Sequence, residues 1–188
     1  MVVEPMDRAL AIRITLRDVE PPVWRDVAVR ESSSLNDVHT VIQACMGWAD
    51  RHLYEFRWKG QVCGTSDPES EANYPGVDEV RLRELKLNPG DTIDYLYDYG
   101  DGWEHQVEVV STMELDPKLA YPVCVGGHGS CPPEDCGGPP GYEQLQAAMA
   151  DPDGKGSGEL LEWLGNSSVP EAFSVVEANT RLSGKSDR

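Results

Sequence analysis

The stretch TIDYLYDYGDGWEHQVEVV (92–110) constrains the fold more than any other part of the chain. Apolar and polar residues alternate on both sides of an Asp-Gly pair at 101 and 102. That is the period of a β-strand with the chemistry of a tight reversal in its middle. Ile93, Tyr95, Tyr97 and Tyr99 fall on one face of the first strand, and Asp94, Leu96 and Asp98 on the other. On the return strand Trp103, His105, Val107 and Val109 share a face.

Other segments supply partners for this hairpin. ALAIRITL (9–16) alternates, and so does VWRDVA (23–28) after a Pro pair, which predicts a second hairpin. HLYEFRW (52–58) puts His52, Tyr54, Phe56 and Trp58 on one strand face. In SSSLNDVHTVIQACMGW the spacing changes to 3.6. Leu35, Val38, Ile42 and Cys45 form an apolar stripe, Ser33 or Ser34 caps the start and Gly47 ends the helix. His39 sits beside the stripe and reads as a packed histidine. VRLRELKL reads as a strand or short helix, and 65–79 as an exposed acidic loop. The Gly- and Pro-rich run 121–142 reads as a long ordered loop. Helices are expected over YEQLQAAMA, over 158–164, and over VPEAFSVVEANTRL with Pro170 in its first turn. The expectation is one α+β domain over 1–182 with a disordered tail at 183–188. Its single mixed or antiparallel sheet carries one main helix, in a roll or β-grasp-like arrangement, followed by C-terminal helices.

Charge narrows the function classes. The formal net charge is −17, so the chain repels phosphate backbones, and direct nucleic-acid binding is not expected. A cation, an unknown small ligand or a basic protein partner suits the sign. No apolar run reaches membrane-spanning length and the N-terminus carries early charges, so no membrane association and a cytoplasmic location are expected. Five cysteines, an odd count, are then expected as free thiols.

Two stretches carry the candidate chemistry. In YDYGDGWEH (97–105) the turn itself accounts for Gly100, Asp101 and Gly102, and core packing accounts for the tyrosines. Asp98, Glu104 and His105 remain as groups able to do acid–base work or to ligate a metal. The second stretch is C124-x3-H128-x2-C131-x4-C136, whose residue types are zinc ligands but whose spacing lacks the usual pair of CxxC knuckles. Inside it, CPPED places Glu134 and Asp135 just after a rigid Pro pair. No GxSxG elbow, phosphate-binding loop or HExxH is present.

PPVWR (21–25), LNDVHTVIQACMGWADRHLYEF (35–56), YDYGDGWEH, CPPEDCGG (131–138), Trp163 and PEAF (170–173) occur in this order. Together they resemble the plasmid pRiA-type ORF-three family, whose members often carry the label of transposon passenger or TnpR-like proteins. The resemblance implies a compact α+β domain, a mobile-element context and no established activity. It implies signature positions at Trp24, Arg25, Trp48, His52, Tyr97, Asp98, Gly100, Asp101, Trp103, His105, Pro132, Pro133, Glu134, Asp135 and Gly137. His128 and Cys136 depart from the family pattern, which moves attention from a four-ligand zinc site to the histidines and the CPPED carboxylates. A serine recombinase needs a nucleophilic Ser among Arg residues and a basic DNA-binding arm, and this acidic chain has neither.

The site expected from these residues is a small polar one between the hairpin and the CPPED loop, lined by His52, Asp98, Asp101, Trp103, His105, Glu134 and Asp135. A zinc or other divalent ion there would draw on His52, His105 and Cys131. A ligand-binding protein is the leading reading. A metal-assisted hydrolase and an acidic protein-interaction module are the alternatives.

Overall fold

The structure is a computed structural model that describes residues 7–64, 76–165 and 172–185. It is an α+β fold built on one antiparallel sheet of seven strands: β1 (Arg8–Leu16), β2 (Val23–Arg30), β3 (Tyr54–Trp58), β4 (Gln61–Gly64), β5 (Thr92–Tyr97), β6 (Trp103–Glu114) and β7 (Val123–His128). Their order across the sheet is β4-β3-β5-β6-β1-β2-β7. The expected 92–110 hairpin is β5 and β6, with Tyr97 opposite Trp103 and Ile93 opposite Val107. The other hairpin pairs β1 with β2 over their whole length.

Period two in the strands makes the sheet one-sided. Leu10, Ile12, Ile14, Val23, Val27, Ile93, Tyr95, Tyr97, Val107 and Val109 are buried, whereas alternate residues meet solvent. Pairs such as Arg13 with Asp26 (2.7 Å) and Arg17 with Asp94 (2.7 Å) lace the wet side. The dry face is covered by α1 (Leu35–Met46), which buries Leu35, Val38, Ile42 and Cys45 as the stripe predicts. Ser34 caps α1 in a reciprocal box with Asp37, and Gly47 ends it at φ 89°. The later helices are α2 (Gly138–Ala150), α3 (Ser157–Gly165) and α4 (Val175–Lys185), with α4 lying against α1 and β7.

The structure departs from the sequence expectations in several places. The run 121–142 contains a strand, β7, hydrogen-bonded to β2 at the sheet edge. Its glycines allow close approach: a Cβ at Gly127 would lie 2.6 Å from the Phe173 ring and 2.9 Å from the Trp24 carbonyl. α2 begins four residues before the expected Tyr142, because Pro139 and Pro140 sit in its first turn where no amide is needed. Of the two readings of VRLRELKL, the structure takes the short helix, a 3-10 helix at Leu82–Leu85. The last helix starts at Val175 and runs to Lys185, three residues into the expected tail. The position of Pro170 and most of the acidic loop (65–75) lie outside the described residues.

α1 has no basic residue in its last turn, and the tertiary structure supplies two. Arg25, on β2 and 2% exposed, donates from Nε to the Cys45 carbonyl (3.0 Å). Its other nitrogens donate to the carbonyls of Trp24, His128 and Gly129. Arg181 of α4 donates to the Ala44 carbonyl (2.7 Å). Burial pulls the Arg25 pKa down, and among the described residues no carboxylate pairs with it. The negative end of α1 and the three other backbone carbonyls are its counter-charge. Arg25→Met should therefore cost about 3 kcal/mol or more by urea unfolding, because several buried carbonyls lose their donor. Arg25→Lys should restore only part of it, since an ammonium has no planar fork. A loss under about 1 kcal/mol for Arg25→Met, the size of an ordinary substitution, would contradict this role.

Candidate functional site

Three segments meet at one end of the sheet: 48–52 after α1, the hairpin tip 98–102, and the CPPED loop 131–135. Each is shaped by local chemistry. Beyond the glycine that ends α1, Trp48 turns inward and stacks on Tyr97 (centroids 5.0 Å apart), while its indole N–H donates to the Pro132 carbonyl (2.9 Å). Asp50 adopts φ 58°, a conformation Asp tolerates, and its amide donates to the Gln43 side chain (3.1 Å). Its carboxylate lies 2.8 Å from Nε2 of His39, whose Nδ1 meets the Tyr95 hydroxyl at 2.7 Å. With a carboxylate on Nε2, that nitrogen carries the proton and Nδ1 accepts from Tyr95. His39 also stacks on Tyr54 at 3.5 Å, so it is a packed histidine as expected.

The hairpin tip is a five-residue loop rather than a two-residue turn at Asp101-Gly102. Asp98 organises it at φ 60°. Its Oδ1 accepts from the Gly100 (2.9 Å) and Asp101 (3.3 Å) amides, and its carbonyl accepts from Gly102 (2.7 Å). That leaves Oδ2 for other work. Asp101 fastens the tip to the next segment by accepting from the Gly137 amide (3.2 Å). A Cβ at Gly138 would meet the Asp101 carbonyl at 2.3 Å, so only glycine permits this approach.

Glu134 ties all three segments together. Tyr97 donates its hydroxyl to Oε1 (2.6 Å), and the Ala49 amide donates to Oε2 (3.0 Å). The Arg51 amide donates in turn to the Tyr97 oxygen (3.0 Å). Burial, followed by the Glu134 hydrogen bond, raises the Tyr97 pKa, so the phenol keeps the proton it donates. With Glu134 fixed, the next residue, Asp135, takes φ 60° and turns its carboxylate back toward the hairpin. Its Oδ1 stands 3.3 Å from Nε2 of His52, and Asp98 Oδ2 stands 3.6 Å from the same nitrogen. Ligand atoms of His52, Asp98 and Asp135 all lie within 4.8 Å of one another, and this is the one such cluster among the described residues. The distances are those of ion pairs, and neither contact is a hydrogen bond. Nε2 is enclosed and has no hydrogen-bond partner.

The residues named from sequence therefore separate. His52, Asp98 and Asp135 converge. Glu134 and Asp101 hold the segments in place. Trp103 is fully buried beside Trp48. His105 is also fully buried; its Nδ1 donates to the Trp103 carbonyl (3.0 Å), and the rings of Trp48 and Tyr95 pack on it. The expected grouping of His52 with His105 and Cys131 is not what the chain builds. His105 points into the core because it shares the inward face of β6 with Trp103 and Val107. Cys131 packs against the core, where burial raises its thiol pKa. None of Cys124, His128, Cys131 or Cys136 joins the cluster, and all five cysteines are free thiols. Sequence reading passed over the Tyr97–Glu134 tie and the Asp50–His39–Tyr95 chain. Tyr97 and Tyr95 read only as core rings, and nothing local marks a hydroxyl that reaches across segments.

A one-sheet α+β protein with a polar cluster held at one end by tyrosine–carboxylate ties is the class these features define. The chain belongs to the plasmid pRiA4b ORF-3-like family, whose model matches residues 8–177. The uncharacterised protein y4hQ of Sinorhizobium fredii is 39% identical over 164 residues, 86% of this chain and 83% of its own. A crystal structure of MM3350 from Methanosarcina mazei, titled a protein of unknown function, superposes with a TM-score of 0.79 at 26% identity. It covers 92% of this chain and 98% of its own. No helix among the described residues is long and apolar enough to cross a membrane.

His105 makes the site's foundation sensitive to acid. Burial depresses its pKa to about 3, whereas in the unfolded chain the ring takes a proton near the ordinary value of 6.5. Between those values the unfolded state binds more protons. The stability His105 contributes is therefore full above about pH 6.5 and is lost as pH falls, at up to about 1.4 kcal/mol per pH unit. Urea unfolding of the wild type should weaken more steeply from pH 6.5 to 5 than that of His105→Leu. Parallel profiles, or a His105 ring that titrates near 6.5 by NMR, would contradict it.

Proposed function

We propose that the chain is a binding protein whose polar site takes one divalent first-row metal ion, held by His52 Nε2, Asp98 and Asp135. The observation that carries this reading is the convergence of three ligand atoms from three separate segments around an enclosed imidazole nitrogen without a hydrogen bond. A buried nitrogen normally makes a hydrogen bond, and lacking one costs about 1–3 kcal/mol; here its neighbours are two carboxylates at ion-pair distance. An ion bonded to it would remove that cost. Two carboxylates and one imidazole form a mixed hard and borderline donor set suited to manganese, iron or zinc. The two carboxylates supply the charge that an ion needs in a partly enclosed place. The Asp98 oxygen that faces His52 is the one not used by the turn amides.

Three protein ligands leave coordination positions open for water or for a ligand's own donor atoms. That openness keeps metal-assisted hydrolysis as the second reading, since an ion so held lowers the pKa of its bound water. A cavity opening beside Asp135 supports a binding role over a purely acidic docking face for a basic protein.

Calorimetric titration of chelator-treated protein with zinc, together with manganese followed by paramagnetic resonance, tests the reading. One ion per chain is expected. His52→Ala and Asp135→Asn should each weaken binding about 100-fold. Asp98→Asn should weaken it while keeping the turn, because an amide oxygen still accepts from Gly100 and Asp101. Equal affinity in wild type and His52→Ala, or no stoichiometric binding at millimolar metal, would sink it.

A further inference from the structure

On the other side of Asp135 lies a half-open cavity of about 270 Å³, bordered by the CPPED loop, α2 and α3. Its walls are Leu145 of α2 and Leu160 and Trp163 of α3, with Cys136 and Gly141 at the loop–helix junction and Asp135 as the charged member of the lining. Trp163 is a position the sequence singled out and the fold did not explain: it is only partly buried, at the edge of the core. The volume falls just below the roughly 300–1,000 Å³ of pockets that hold drug-sized ligands, so the cavity suits a smaller organic molecule.

Its chemistry is one-sided. Three hydrocarbon or aromatic side chains form the walls, and no basic residue among the described ones lines it. Asp135 is the charged group that the described residues give this cavity. An anion would be repelled there, and a neutral polar molecule would lose water without a charged partner. A cation with a hydrocarbon body would gain on both counts. An indole face beside a carboxylate is also what attracts ammonium groups, at about 0.5–1 kcal/mol for an exposed pair and more when dry.

The wall made by the loop and α2 is pre-formed. The Gly141 amide donates to the Gly137 carbonyl (3.2 Å), and a Cβ at Gly141 would strike the Cys136 carbonyl at 1.9 Å, so loop and helix are locked at contact distance. Tyr142 adds a bond from its hydroxyl to the Ser130 carbonyl (3.1 Å). A wall fixed in this way spends little binding energy on ordering itself.

We infer that this cavity is a binding subsite for a small organic ammonium compound, with its hydrocarbon part between Leu145, Leu160 and Trp163 and its cationic head at Asp135. The inference goes beyond the metal reading. It shares Asp135 with the metal cluster but needs no ion.

The test is an NMR titration of chelator-treated protein with benzylammonium, with benzyl alcohol and benzoate as matched neutral and anionic probes. Benzylammonium should move the Trp163 indole N–H and the Leu145 and Leu160 methyl signals in a saturable way. Benzyl alcohol should bind about fivefold more weakly and benzoate not at all. Asp135→Asn should bring benzylammonium down to the level of the alcohol, with the remaining amide spectrum unchanged. Equal affinity for the ammonium and the alcohol, or shifts that avoid Trp163, Leu145 and Leu160, would overturn the assignment. A zinc titration of the same sample, read at the His52 ring, separates the two sites. Zinc shifts without benzylammonium shifts would remove only the cavity, and the reverse only the metal.

Discussion

The Glu134 carboxylate is the constraint on which the candidate site depends. One oxygen takes the Tyr97 hydroxyl and the other takes the Ala49 amide. Hydrogen bonds to a charged acceptor are about twice as strong as neutral ones. This pair joins a strand of the sheet, the segment leaving α1 and a loop from the far end of the chain. The loop has little regular structure of its own between β7 and α2, so its position relative to His52 is set by such ties. The Trp48 indole on the Pro132 carbonyl and the Asp101 carboxylate on the Gly137 amide add two more. Asp135 then has its place fixed from the residue before it and from the loop after it.

That arrangement brings like charges together, which a folding chain avoids unless something compensates. Asp98 and Asp135 approach the same imidazole nitrogen, and both have positive φ. A left-handed conformation costs an L-residue roughly 1–2 kcal/mol, least for Asp and Asn, whose side chains bond locally. At Asp98 the compensation is visible in the two turn amides it accepts. At Asp135, whose side chain is 59% exposed, the compensation is the His52 contact and solvent. Of the six non-glycine residues with positive φ among the described ones, Asp50, Asp98 and Asp135 lie in the segments that meet here. The core beneath is stiff: Trp48, Tyr97, Trp103, His105 and Tyr95 form a contiguous block of rings, and the buried His39–Tyr95 pair pins α1 to it.

The sheet was legible from the sequence because its signal is local and periodic. Ile93, Tyr95 and Tyr97 alternate with wet residues, and Leu35, Val38, Ile42 and Cys45 repeat at the helical spacing. β7 was not legible, since VCVGGH carries glycines that read as loop while their function is to let Phe173 and Trp24 approach. The site was legible in part. His52, Asp98 and Asp135 stood out as titratable groups that turn and core chemistry did not use. His105 stood out equally, and its fate turned on strand parity: at the inward position beside Trp103 it had to enter the core. The role of Glu134 as a tie rather than a lining residue was hidden, because its partners, Tyr97 and Ala49, lie 37 and 85 residues away.

Amide hydrogen exchange in Glu134→Ala tests the central claim most directly. If Glu134 holds the three segments together, the Ala49 and Arg51 amides and the Trp48 indole N–H should exchange at least about tenfold faster than in the wild type. That factor corresponds to one lost charge-assisted hydrogen bond. The Ile12 and Val107 amides, in the middle of the sheet, should stay protected. Unchanged exchange at Ala49, Arg51 and Trp48 would mean that the segments hold their places without Glu134, and the account of how the site is built would be wrong.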